Sequence, residues 1–169
     1  MTQQQADQKN FREAMAQLSS AVSILTTSGD AGTCGITVTA VCSITDSPPT
    51  LIACINRNSK MNAIFQANKK LCVNVLNNEQ EMLAKHFAGM TDTPMEERFS
   101  WNIWNTGASG VPILKHCIAT LEGEIDQIAE VGTHSIYFVK LSGIAVAEAG
   151  DALVYFNRSF HTTPRVKTS

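Results

Sequence analysis

The apolar positions of this chain change period several times, and each change marks a new element. The clearest run is CGITVTAVCSIT, residues 34–45. Read at the two-residue period of a strand, it sets Ile36, Val38, Ala40, Cys42 and Ile44 on one face and Thr37, Thr39, Val41, Ser43 and Thr45 on the other. One face can enter a core, and the other carries four hydroxyls. Small hydroxyl side chains leave space for a polar ligand to approach the backbone. They equally suit a strand face that simply meets water, because Thr is common in strands for its β-branching.

Upstream, Asn10 followed by Glu13 has the form of a capping box, and Phe11, Ala14, Met15 and Leu18 recur at helical spacing, so a short amphipathic helix should open the chain. Val22, Ile24 and Thr26 then shift to period two and stop at the turn-rich SGDAG, making 34–45 the second strand of a hairpin. Pro48 and Pro49 end it, since proline cannot donate to a ladder, and the nearly unbroken apolar run 50–55 reads as a central strand. A polar loop, 56–60, leads into a helix carrying Met61, Ile64 and Phe65, with Ser59 placed to cap it. After a strand at 71–76, Asn77 or Asn78 caps a helix in which Met82, Leu83 and Phe87 share a face up to Gly89, with His86 beside that face.

Periodicity lapses over 91–112, where Trp101 and Trp104 flank polar residues. A long excursion packed by its aromatics is expected there, with helical turns at 94–99. Strands return at 117–125, 134–147 and 153–158, with a Gly-containing hairpin turn at 148–151. Helices inserted among the strands, rather than alternating with them, favour a closed or partly closed antiparallel barrel over a doubly wound parallel sheet. The expected organisation is one domain over 1–169, with polar tails at about 1–10 and 162–169.

Composition narrows the function classes. With 169 residues, 44% hydrophobic and 17% charged, the chain can bury a single sizeable core. A net charge of -2, a pI near 6.1 and scattered Lys and Arg residues give no basic field, so nucleic acid is not an expected partner. The polar start MTQQQADQKN has no leader pattern and no run of 18 apolar residues follows, so a cytoplasmic protein without membrane association is expected. The five cysteines, Cys34, Cys42, Cys54, Cys72 and Cys117, form no CxxC and no Cys/His cluster, so they read as small buried hydrophobes and no metal is expected. Gly29, Gly32 and Gly35 lead into a strand rather than a strand-to-helix turn, which excludes the dinucleotide fingerprint, and the P-loop, GxSxG and HExxH motifs are absent. What remains is the hydroxyl-bearing strand, the loop ending at Ser59 and Lys60, and His134 in the turn Gly132-Thr133-His134. Ser59 and Lys60 suit a phosphate at a helix N-terminus, or an ordinary cap beside a solvated lysine; His134 suits a functional or a structural role.

In order along the chain, GITVTAVCSITDSPP (35–49), INRNSKMNAIF (55–65), KLCVNVL (70–76), HFAGM (86–90), ERF (97–99), GTH (132–134) and LVYFNRSFH (153–161) resemble the short-chain flavin reductases. The likeness is strongest to those serving two-component aromatic-ring monooxygenases of the 4-hydroxyphenylacetate 3-hydroxylase type, and it runs from about Phe11 to His161. It implies a mainly β fold with inserted helices, an antiparallel FMN-binding split β-barrel that forms homodimers. It further implies reduction of FAD or FMN by NADH, with NADPH as the other candidate donor, and delivery of the reduced flavin to a separate oxygenase.

By position, the resemblance places Thr37, Val38, Thr39, Ala40 and Ser43 against the flavin ring and ribityl chain, and Asn58, Ser59 and Lys60 at its phosphate. His134 falls at the nicotinamide or flavin edge, with Tyr155 and Arg158 on the wall of the same pocket; Thr133 stands where many relatives carry an acidic residue. Hydride transfer between two stacked rings depends on geometry and on aimed N–H donors, so these are positioning residues and no general acid or base is implied. The alternative is a non-catalytic flavin- or haem-binding split-barrel protein, because a fold does not settle a function. If the hydroxyl face binds flavin, Thr39→Val should weaken flavin affinity by about 1 kcal/mol, the net worth of one neutral hydrogen bond. An unchanged dissociation constant in a flavin titration would refute that face as the platform.

Overall fold

A computed structural model describes residues 6–166. In order, the chain forms α1 (Gln8–Met15), β1 (Ser20–Ala21), β2 (Ser23–Thr27), β3 (Cys34–Val38), β4 (Val41–Asp46), β5 (Pro49–Asn56), α2 (Lys60–Asn68) and β6 (Lys70–Val75). A 3-10 turn (Asn78–Gln80), α3 (Glu81–Phe87), α4 (Met95–Ser100), β7 (Trp104–Thr106), β8 (Pro112–Leu114), β9 (Ala119–Val131), β10 (His134–Val146), β11 (Ala152–Phe156) and β12 (Ser159–Thr163) follow. The fold is mainly β with inserted helices, as expected, and every pairing is antiparallel.

The stretch 34–45 is not one strand. It splits at Thr39 and Ala40 into β3 and β4, which lie at opposite ends of a seven-stranded sheet of order β3-β2-β6-β9-β10-β5-β4. Three peptide steps reach at most about 11 Å, so the sheet must curl until the end of β3 and the start of β4 come that close. No ladder joins β3 to β4: the two edges converge at this link and the barrel is not closed, which leaves a seam between them. There Ala40 accepts a hydrogen bond from the Cys54 N–H at 3.0 Å. The break also resets the side-chain alternation. Val41 turns inward to pack with Ile36 and Val38, while Cys42 is exposed and Ile44 is 53% exposed, contrary to the single-strand reading.

Two cores lie on either side of β2 and β6. Leu25, Leu51, Ala53, Ile55, Leu71, Val73, Tyr137 and Val139 turn one way and close over Phe65 of α2. Val22, Ile24, Leu76, Leu114 and Leu153 turn the other way against Ala84 and Phe87 of α3. β2 is consequently buried at every position. Asn74, fully buried in β6, donates to Ile24 O at 2.9 Å and accepts from the Leu114 N–H at 2.7 Å, which pins β8 to the sheet. Gly123 permits the bulge in the long β9–β10 pair: a Cβ there would stand 2.2 Å from Lys140 O, which no side chain can occupy.

Several local expectations are corrected. Asp7, not Asn10, caps α1, accepting from the Asn10 N–H at 2.8 Å, and the helix starts inside the span expected as a polar tail. β12 likewise enters the expected C-terminal tail; the outer parts of both tails, 1–5 and 167–169, lie outside the described residues. β5 sits one place from the sheet edge rather than centrally. Residues 148–151 do not close a hairpin, because β10 pairs with β9 and β5 whereas β11 pairs with β1 and β12. The hairpin is β11–β12, turning on Asn157 and Arg158 at φ 47° and 62°, the left-handed pair that suits strand twist. Arg158 is therefore a turn residue rather than a strand residue.

Asn77 caps the 3-10 turn with a reciprocal bond to Gln80, and the buried face of α3 carries Ala84 and Phe87, with Met82 exposed. The excursion is packed by aromatics as expected: Phe87, Phe99 and Trp104 lie within 4.9–5.7 Å of one another, and His86 meets Trp101 edge-on at 5.0 Å. No helix among the described residues is long and apolar enough to cross a membrane.

Burial pushes the thiols of Cys34 and Cys72 up to about 12 and that of Cys117 up to about 11. At pH 8 each is thus protonated to all but about one part in 10³ or less, and unreactive. Titration of the native protein with a chromogenic disulfide at pH 8 should show a fast equivalent from exposed Cys42 that disappears in Cys42→Ser, and no fast reaction of Cys34, Cys72 or Cys117. Fast reaction of three or more thiols would contradict the packing.

Candidate functional site

Two neighbouring groups of side chains gather the residues singled out from the sequence. The first rests on α2. Ser59 caps this helix, accepting from the Met61 N–H at 3.3 Å, and the Asn58 N–H donates to Asn56 Oδ1 at 2.9 Å, so the polar loop is ordered by its own side chains. The Arg57 N–H donates to Thr133 O at 2.8 Å, and His134 stands opposite Asn56 in the β5–β10 ladder. His134 Nδ1 lies 2.9 Å from the Thr133 hydroxyl. Asn58, Ser59, Lys60 and His134 thus occupy one end of the β5–β10 pair, where a nine-residue helix presents its N-terminus.

The second group lines a cavity of about 550 Å³ between β3, α3 and the β11–β12 hairpin. Thr37, Val38 and Thr39 form one wall, Glu81, Lys85, Ala88 and Met90 another, and Tyr155, Arg158, Ser159 and Phe160 the third, with Val22 completing the lining. The Thr37 hydroxyl donates to Ala84 O at 2.8 Å, so it docks α3 on β3 rather than facing a ligand. Thr39, exposed at the seam, keeps its hydroxyl free of protein partners. Tyr155 and Phe160 meet edge-to-face at 5.1 Å, and Lys85 Nζ sits 5.8 Å from the Phe160 ring.

Both cations of the cavity are paired. Lys85 Nζ is 2.6 Å from Glu81 Oε1, and Arg158 grips the two carboxylate oxygens of Glu13 at 3.0 and 3.2 Å. The Arg158 guanidinium holds the Glu13 carboxyl below its ordinary value, and Glu13 in turn raises Arg158.

Ala40 lies between the two groups: its partner Cys54 is two residues along β5 from Asn56, about 7 Å. Ser43 lies the other way, opposite Leu51, about 17 Å along β5 from Asn56, and is exposed on a separate recess with Ile44, Thr45 and Asp46. The structure therefore joins Thr37, Val38, Thr39, Tyr155 and Arg158 in one cavity, sets Asn58, Ser59, Lys60 and His134 beside it, and leaves Ser43 apart. Sequence reasoning did not single out Lys85 or Glu81, and it gave Glu13 only a capping role. The four-residue spacing of Glu81 and Lys85 was a legible signal for a helix pair, whereas nothing local connects Glu13 with Arg158. Among the described residues no three His, Cys, Asp or Glu side chains are grouped to hold a metal ion. A cavity of this size, with aromatic and aliphatic walls, a free hydroxyl and a helix N-terminus nearby, fits a planar ring system carrying an anionic tail.

Residues 15–164 match the family described as flavin reductase like domain, and the chain belongs to that family. It is 56% identical over 161 residues to the 4-hydroxyphenylacetate 3-monooxygenase reductase component of Pseudomonas aeruginosa, covering 95% of each chain. It is 58% identical over 151 residues to the protein of the same name from Escherichia coli, covering 89% of each. It is also 45% identical over 159 residues to FMN reductase (NADH) RutF of Yersinia enterocolitica, covering 94% of this chain and 86% of the relative. Among solved structures, flavin reductase PheA2 aligns with a TM-score of 0.84 at 25% identity, covering 94% of this chain and 99% of that one. The NADH:FAD oxidoreductase SgcE6 of Streptomyces globisporus aligns with a TM-score of 0.85 at 25% identity, covering 95% and 96%.

Because the Thr37 hydroxyl is used to dock α3, Thr37→Val should lower stability by about 1 kcal/mol in denaturant unfolding. An unaltered midpoint would show that this bond does not hold the helix.

Proposed function

We propose that this chain is the reductase component of a two-component monooxygenase of the 4-hydroxyphenylacetate 3-hydroxylase type. It oxidises NADH, reduces FAD or FMN and releases the reduced flavin to a separate oxygenase. The observation that carries this reading is the 56% identity to a reductase component of that name over 95% of both chains. The curled sheet with its seam at Thr39 and Ala40 supports a flavin-binding split β-barrel occupying a single domain over 1–169. The exposed apolar side chains Ile44, Ile128, Val131, Ile144 and Val146 support a homodimer, in which a second copy covers part of this surface. The reading places the protein in the cytoplasm.

When both are bound, the nicotinamide would supply a hydride and the flavin would accept it. The chain's own residues position, shield and neutralise. Val38, Thr39 and Ala40 offer small side chains and backbone N–H groups to the ring, with Thr37 holding α3 behind them. Asn58, Ser59 and Lys60 hold the phosphate with the N-terminus of α2 and one cation. His134, whose Nδ1 lies 2.9 Å from the Thr133 hydroxyl, would contact the nicotinamide or the flavin edge. Tyr155 and Arg158 form the wall on which the nicotinamide nucleotide lies. Ser43, set away from both groups, is left out of this arrangement.

Mixing the purified protein with NADH or NADPH and with FAD or FMN, and following the nicotinamide absorbance band, tests the reading. Flavin-dependent oxidation is expected, and its absence with every pair, or flavin retained without turnover, would sink it. Ser59→Asp discriminates further: aspartate caps a helix as well as serine, so stability should hold, but its charge faces the phosphate and should weaken FMN binding about tenfold. Unchanged FMN affinity in this variant would remove the phosphate from the α2 N-terminus.

A further inference from the structure

We propose that Glu81 and Glu13 determine nucleotide preference by neutralising the two cations of the cavity wall, so that NADH is accepted and the additional phosphate of NADPH is disfavoured. The inference rests on the reading of this cavity as the place where the nicotinamide nucleotide lies.

NADPH differs from NADH by one phosphate that carries between one and two negative charges at neutral pH. A site that welcomes such a group offers it cations or N–H donors that are not otherwise engaged, and a guanidinium does so best with its planar fork open. Here Lys85 and Arg158 are the cationic side chains that line the cavity. Neither stands alone. Lys85 is held at 2.6 Å by Glu81 one helical turn away, and Nη1 and Nη2 of Arg158 each face one carboxylate oxygen of Glu13, at 3.2 and 3.0 Å. The four charges cancel. An arriving phosphate must either displace a carboxylate from its cation or stand beside that carboxylate, and both arrangements set anion against anion.

The pairing is built into the fold rather than left to chance encounter of long side chains. Lys85 and Glu81 share one face of α3, in the favourable order with the acid first. Arg158 sits in the tight β11–β12 turn, and the neighbouring Asn157 N–H donates to Ala16 O at 2.7 Å, so the turn is tied by its backbone to the end of α1. That tie brings Glu13 to Arg158 across 145 positions of sequence. α1 buries no residue of its own, and the Ala16 backbone tie and the Glu13 pair join it to the β11–β12 turn. On the wall that carries Arg158, Tyr155 edge-on to Phe160 suits the flat adenine that both nucleotides share.

The test uses the intact protein with saturating flavin and compares kcat/KM for NADPH and NADH in wild type, Glu13→Gln, Glu81→Gln and the double variant. Wild type should favour NADH. Each single variant should raise the NADPH to NADH ratio, and the double variant should raise it about tenfold at low ionic strength, through KM for NADPH. The gain should shrink as salt is added, because exposed charges are screened. Adding Lys85→Gln and Arg158→Gln to the double variant should cancel the gain. A ratio that stays constant in the double variant while NADH is still oxidised would overturn the inference, as would a wild type indifferent to the two nucleotides. A wild type that oxidises neither nucleotide would instead overturn the functional reading.

Discussion

The link of two residues, Thr39 and Ala40, between the opposite edges of a seven-stranded sheet is the constraint on which the rest of the structure depends. A link this short cannot cross an open sheet, so the sheet curls and its two edges converge at the link. Curling places alternate residues of the strands around one core and leaves a seam where backbone is not committed to a ladder. Edge strands ordinarily expose pairing groups to other chains. Here the two edges converge without pairing, and Thr39 at their junction lines the cavity. The same link that forces curvature therefore supplies the accessible backbone from which a ligand platform can be made.

A second layer gives that platform its walls. Ile24, Leu76 and Leu153 face away from the first core and receive Phe87 and Ala84 of α3, while the aromatic excursion closes over them through Phe99 and Trp104. The buried amide of Asn74 joins β2, β6 and β8, and a polar group so placed must find partners or cost more than it contributes. With α3 seated on β3 by the Thr37 hydroxyl, its Glu81 and Lys85 are presented to the cavity together with the β11–β12 turn. Membership of the flavin reductase family gives this architecture its functional context, and the cavity walls give the chemistry its local terms.

Much of the fold was legible because it rests on short-range rules. The capped loop at Ser59, the helix ending near Gly89, the strand at 71–76 and the helical turns at 94–99 each follow from periodicity, caps and turn residues within a few positions. The errors share a cause. Residues 34–45 alternate without interruption, so no local signal marks the break at Thr39 and Ala40; only the competition of two sheet edges for this segment divides it. Asn10 looked like a cap because Glu13 follows it three residues later, but Asp7 takes that role and Glu13 turns to Arg158. Arg158 looked like the end of a strand because Asn157 and Arg158 adopt left-handed conformations that neither residue type demands.

The sequence by itself determined the mainly β class, the cap at Ser59, the loop of Asn58, Ser59 and Lys60, and, through the ordered set of motifs, the family. These depend on local backbone preference or on matches spread along the chain, and both are properties of order in sequence. Only the tertiary structure decided which of those residues share a space: Thr37, Val38 and Thr39 with Tyr155 and Arg158, His134 beside Asn56, Ser43 apart, and Glu13 closed on Arg158. The physical reason is that register, curvature and ion pairing between distant segments are set by the burial of the whole sheet, and no stretch of chain carries that information alone.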